Sequence, residues 1–171
     1  MIVVSDTTPI ISLLKLDHLH LLKDLFGQVV IPQTVYDELT VNPSFPLEAE
    51  EVKRCDFISV GYASLNAAKV LGDETGLDAG ESEAIVLAME CKAELLLMDE
   101  RNGRCVAEQM GIAITGTIGI LLRAFNEGML QASDVRESLN DLKRNNIRFS
   151  EALLALVKER IQRTPNGSRS A

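Results

Sequence analysis

Apolar residues fall into short runs separated by polar breaks, and two kinds of run alternate along the chain. Compact β-rich runs occupy Ile2–Ser5, Val29–Ile31, Phe57–Val60, Glu94–Met98 and Ile112–Thr115. A continuous apolar run such as ELLLM suits a strand covered on both faces of a parallel sheet. Phe57–Val60 reads as an edge strand. Between these runs, apolar residues recur at helical spacing. The pattern predicts helices over Pro9–Lys15, His18–Phe26, Pro32–Leu39, Leu47–Arg54, Ala63–Leu71, Glu81–Cys91, Asn102–Met110, Thr117–Glu127, Ala132–Asn145 and Ser150–Gln162. Thr8-Pro9 is a helix start, with a hydroxyl at the N-cap and proline at the first helical position. Gly27, Gly111 and Gly128 are stops. Residues 40–46 (TVNPSFP) and the polar stretch Gly72–Gly80 are predicted connections. Alternating strands and helices imply an α/β fold with a parallel sheet. No linker or repeat divides the chain, so residues 1–162 are expected to form a single domain, and residues 163–171 a disordered polar tail.

In open sheets of this class, ligands bind beyond the carboxyl ends of the strands. Asp6 directly follows the first strand, and Asp99 follows ELLLM in the same way with Glu100 behind it. Two carboxylates are therefore expected on one edge. Glu38 lies in the helix after the second strand. Its neighbour Asp37 points about 100° away from it, and Glu38 is nearer the Val35/Leu39 stripe. Asp78, Glu81 and Glu83 surround the start of a helix apolar on nearly every side, EAIVLA. Each acid also has a structural reading: Asp6 and Asp99 as turn or helix-start residues, Glu38 as a solvated helix charge, and Asp78 with Glu81 as a capping box.

Composition narrows the chemistry. The 171 residues are 46% hydrophobic and 25% charged, ordinary for a globular protein. Aromatics are 4% and Trp is absent, which argues against a wide base-stacking platform. The opening MIVVSDTTPI has no basic stretch before a short apolar run, and no stretch approaches the ~18 apolar residues of a membrane span. Cys55, Cys91 and Cys105 lack C-x-x-C spacing. The expectation is a cytoplasmic protein with reduced thiols, Cys91 and Cys105 buried and inert. His18 and His20 are two residues apart and do not face one site, so zinc is disfavoured. A carboxylate set instead suits Mg²⁺ or Mn²⁺, which prefer oxygen ligands. Such ions activate water and offset charge in phosphodiester hydrolysis. The net charge of −8 runs against nucleic-acid binding. Cationic groups do cluster locally, at Arg101/Arg104 and at Lys143/Arg144/Arg148.

The stretches MIVVSDTTPIISL, IPQTVYDEL, LDAGESEAIVLA, LLLMDERNGR and GIAITGTIGILLRAFNEGML, in this order, resemble the PIN-domain superfamily and its prokaryotic toxin-like, VapC-related group. The resemblance implies a three-layer α/β/α fold with a central parallel sheet and extra C-terminal helices. It implies a ribonuclease binding Mg²⁺ or Mn²⁺, acting on RNA, with a small antitoxin partner and a homodimeric state. The family's acids fall on Asp6, Glu38, Glu81 and Asp99, which would be both catalytic and metal-binding. Glu83 competes with Glu81 for the third position, and Asn102 stands near a further acidic position that is not clear here. Thr8 matches a supporting hydroxyl. The stripes Leu139/Leu142 and Leu153/Leu154/Leu156/Val157/Ile161 would pack on the domain or on a second copy.

Other phosphate-handling classes fit less well. An aspartyl-nucleophile phosphatase needs a second Asp two residues after the first, where this chain has Thr8. A phosphoreceiver would need a Lys after a late strand, and Ile112–Gly119 has none. SDTTP is not a glycine-rich phosphate loop. The remaining alternative is a PIN-like module that binds nucleic acid or protein without cutting.

Overall fold

The computed structural model describes residues 1–41 and 46–163. These form two compact units, Met1–Thr117 and one beginning at Ile118.

In the first unit the strands are β1 (Val3–Ser5), β2 (Val29–Pro32), β3 (Ile58–Gly61), β4 (Leu95–Leu97) and β5 (Ile114–Thr115). Its helices are α1 (Thr7–Lys15), α2 (His20–Phe26), α3 (Gln33–Val41), α4 (Pro46–Arg54), α5 (Leu65–Thr75), α6 (Ala79–Glu90) and α7 (Arg101–Gln109). All strand pairs are parallel, in the order β3-β2-β1-β4-β5. Right-handed crossovers put the β1→β2→β3 connections on one face and the β3→β4→β5 connections on the other. This is the expected three-layer α/β arrangement, with Phe57–Val60 realised as an edge strand. The order in which strands are laid down reverses between the parallel neighbours β1 and β4, where Ser5 pairs with Leu97. The switch point therefore lies beside Asp6 and Asp99.

The core of this unit packs α6 against the sheet. Val4, Leu96 and Met98 meet Ala84, Ile85, Val86, Leu87 and Ala88. Both faces of β1 are buried, which is why VVS carries no alternation.

Several predicted boundaries move. Helix α1 starts at Thr7, with Asp6 rather than Thr8 at the N-cap position, so Pro9 is the third helical residue instead of the first. Helix α5 runs on through Gly72 and ends at Thr75; Gly76, at φ +77°, closes it with a left-handed residue. The connection predicted over Gly72–Gly80 thus shrinks to three residues. Helix α3 continues to Val41. Of the rest of the predicted 40–46 loop, residues 42–45 lie outside the described residues, and Pro46 opens α4.

The second unit contains α8 (Thr117–Asn126, entered from the first unit's last residue), α9 (Ala132–Arg144) and α10 (Glu151–Arg163). Helices α9 and α10 pack together. Leu139, Leu142, Leu154, Val157 and Ile161 are buried, whereas Leu156 of the same predicted stripe is exposed. Arg163, predicted to begin the tail, ends α10, and the remainder of the tail lies outside the described residues. Among the described residues no helix is long and apolar enough to cross a membrane. The cysteine reading needs correction: Cys105 is exposed on α7 and Cys91 is half-buried. Cys105 falls on the solvent side because the buried face of α7 is carried by Gly103 and Ala107.

Candidate active site

Asp6 leaves β1 at the carboxyl edge. Its backbone N–H donates to Leu97 O at 3.0 Å, pinning it against β4. The residue is only 4% exposed. Burial pushes its carboxyl from 3.8 up to about 7; a backbone hydrogen bond from Thr7 opposes this, and repulsion from Asp78, Glu81 and Glu38 adds to it. These interactions place four carboxylates in one neighbourhood.

Glu38 reaches that neighbourhood from α3. The residue is exposed as a whole, yet its carboxylate lies against protein. Thr7 Oγ1 donates to Glu38 Oε2 at 2.5 Å. Burial of the carboxylate raises its pKa, Thr7 counters, and Asp78 and Glu83 raise it further. Asp37 turns elsewhere and accepts from Gln33 Nε2 at 2.9 Å.

The first turn of α6 supplies the remaining acids. Asp78 Oδ1 accepts from Glu81 N at 2.8 Å and Glu81 Oε2 from Asp78 N at 3.0 Å, so the capping box is formed. Glu81 is at once a cap and a member of the acid cluster. Burial raises its pKa; the Asp78 N–H opposes, while Asp78, Glu100 and Glu38 repel. Glu83 is 8% exposed and accepts from Thr34 Oγ1 at 2.7 Å, facing α3.

Asp99 stands at the same sheet edge, but its carboxylate is turned to Thr117. It accepts from Thr117 N at 2.7 Å and from Thr117 Oγ1 at 2.6 Å. Asn102 uses its amide on Thr75 O at 3.2 Å. The structure thus brings Asp6, Glu38 and Glu81 together, adds Asp78, sets Glu83 beside Glu38, and leaves Asp99 and Asn102 engaged with backbone and hydroxyl partners. Sequence reasoning missed Thr7, which takes the part expected of Thr8. It also grouped Asp78 with the acids at the start of this helix but left it out of the metal-binding set. The available signal was adjacency: Thr7 follows Asp6 directly, and Asp78 is one turn from Glu81.

Among the described residues no three His, Cys, Asp or Glu side chains converge closely enough to hold a metal ion as they stand. By chemistry the donor set fits a hard cation, since it is all carboxylate oxygen. The buried, mutually repelling Asp6 carboxyl is also where added positive charge would relieve most strain.

A parallel sheet with its switch point at β1/β4 and acids gathered on that edge defines an α/β protein with an acidic site at the carboxyl edge of its sheet. The sequence model of the PIN domain matches residues 2–163, and the chain belongs to the PIN-domain family. PIN domains are generally nucleases. No curated protein matches the chain significantly.

Proposed function

We propose that the chain is a metal-dependent endoribonuclease hydrolysing RNA phosphodiester bonds, and the toxin of a toxin–antitoxin pair. The observation that carries the reading is the gathering of Asp6, Glu38, Asp78 and Glu81 at the carboxyl edge beside β1 and β4. The toxin assignment, with a small antitoxin and a homodimer, rests on the ordered VapC-like stretches such as IPQTVYDEL and LLLMDERNGR.

Asp6, Glu38, Glu81 and Asp99 would hold Mg²⁺ or Mn²⁺, with Glu83 and Asn102 as further donors. The ion, when bound, would supply a nucleophilic water and offset charge on the phosphoryl group. The chain's own part is preorganisation. The Asp6 backbone is locked to β4. Glu81 keeps Oε2 on the Asp78 N–H, which orients its other oxygen. Asp99 must share or exchange its bonds to Thr117 to contribute.

The engagement of Asp99 favours one second reading, a PIN-like module that binds nucleic acid or protein without cutting. Incubating a mixed RNA pool with Mn²⁺, Mg²⁺ or EDTA separates the two. Wild type should cut only with metal, and Asp6→Asn and Asp99→Asn should not cut. Equal cutting by all three preparations would expose a contaminant. No cutting by any of them, with RNA still retained on the protein, would favour the binding module.

A further inference from the structure

Helix α6 begins with a glycine that its backbone does not call for. Gly80 is the second residue of α6, has no left-handed φ, and lies within a complete Asp78–Glu81 capping box. Alanine is the better helix former at such a position. The reason for glycine is space. A Cβ on Gly80 would lie 2.9 Å from Glu38 Oε1 and 3.5 Å from both Cδ and Oε2. The Glu38 carboxylate thus rests on the bare backbone of α6.

Its other oxygen is held from the opposite element. Thr7 Oγ1 donates to Oε2 at 2.5 Å. Thr7 directly follows Asp6, and its backbone amide eases the charging of that carboxyl. One residue therefore stands between two acids that lie 32 positions apart in sequence. Glu38, on a helix face open to solvent, would otherwise sample several rotamers; contact on both oxygens removes that freedom.

We propose that Thr7 and Gly80 form a slot that fixes the Glu38 carboxylate next to Asp6, and are positioning residues for a divalent cation at this edge. The inference rests on the metal-dependent reading above. Supporting partners of metal ligands typically control affinity by about 10–100-fold.

The test is Mn²⁺ affinity of the metal-stripped protein without RNA, read by isothermal titration and by the loss of free-ion Mn²⁺ EPR signal. Wild type, Thr7→Val, Thr7→Ser, Gly80→Ala and Asp6→Asn are compared, with circular dichroism confirming that each folds. Thr7→Val should bind Mn²⁺ at least ~10-fold more weakly and Thr7→Ser within a few-fold of wild type. Gly80→Ala should lose a similar factor although alanine favours the helix. If Thr7→Val fails to fold, the Gly80→Ala arm decides. Wild-type affinity in both Thr7→Val and Gly80→Ala overturns the slot and leaves the metal reading standing. An equal loss in Thr7→Ser and Thr7→Val overturns the role of the hydroxyl. No Mn²⁺ binding by wild type, or undiminished binding by Asp6→Asn, removes the metal reading and the slot together.

Discussion

Asp99 accepts both hydrogen bonds that Thr117 can offer, from N at 2.7 Å and from Oγ1 at 2.6 Å. The pair ties the end of β4 to the first residue of α8, and Thr117 is only 1% exposed. A hydrogen bond to a charged group contributes about 1.5–3 kcal/mol. Thr117→Val and Asp99→Ala are each expected to destabilise the metal-free protein by about that much. Because the two share one interaction, the double variant should fall short of the sum by at least ~1 kcal/mol. Urea unfolding of the four proteins measures this, and strict additivity would mean that the bond does not form in solution.

Gly116 sits under the same carboxylate. A Cβ there would lie 2.5 Å from Asp99 Oδ1, 2.9 Å from an Arg104 guanidinium nitrogen and 3.4 Å from Met98 O. Arg104 is itself bonded to Met98 O at 3.0 Å, so neither side chain yields freely. Gly116→Ala should cost about 1–3 kcal/mol, the usual range for overpacking. Its penalty should shrink in an Asp99→Ala background. A penalty unchanged by Asp99→Ala would assign the cost to the backbone instead.

The buried Asp6 makes stability depend on pH in a defined direction. Its carboxyl ionises near 3.8 in the unfolded chain and near about 7 in the metal-free fold, mainly through burial. Between those values the native state holds more protons, so stability falls as pH rises through this window and stays low above it. Glu38 and Glu81 are shifted in the same sense. Asp6→Asn should therefore melt several degrees above wild type in EDTA at pH 8, at roughly 2–4 °C per kcal/mol for a chain of this size. Below pH ~4 the difference should nearly vanish. An Asn variant equally displaced at both pH values would contradict the assignment.

Thiol reactivity should follow the observed exposure rather than the helical pattern. Cys105 is exposed, whereas burial pushes the Cys55 and Cys91 thiols up and slows formation of the reactive thiolate. Ellman's reagent on the native protein should show one fast thiol, and Cys105→Ser should abolish that phase. Persistence of the fast phase in Cys105→Ser would place the reactive thiol elsewhere.

Much of the fold was legible because its signals are local. ELLLM announced a strand buried on both faces, and Leu95–Leu97 is an interior strand, flanked by β1 and β5. The Asp78–Glu81 spacing announced the capping box that forms. Boundaries were less legible where tertiary packing outweighed a local stop. Gly72 reads as a break, yet its helix continues because Leu71 is buried beside it and Gly76 provides the turn.

The sequence by itself determined the alternation of strands and helices, and with it the edge on which Asp6 and Asp99 emerge. Periodicity, caps and apolar runs act over a few residues, so they survive without knowledge of the partner segments. Only the tertiary structure decided what each acid touches. Thr7 meets Glu38 across 31 residues and Thr34 meets Glu83 across 49, and Gly80 supplies the space that Glu38 occupies. Such contacts depend on how three elements close on one point, to within a fraction of an ångström, and no local propensity encodes that distance.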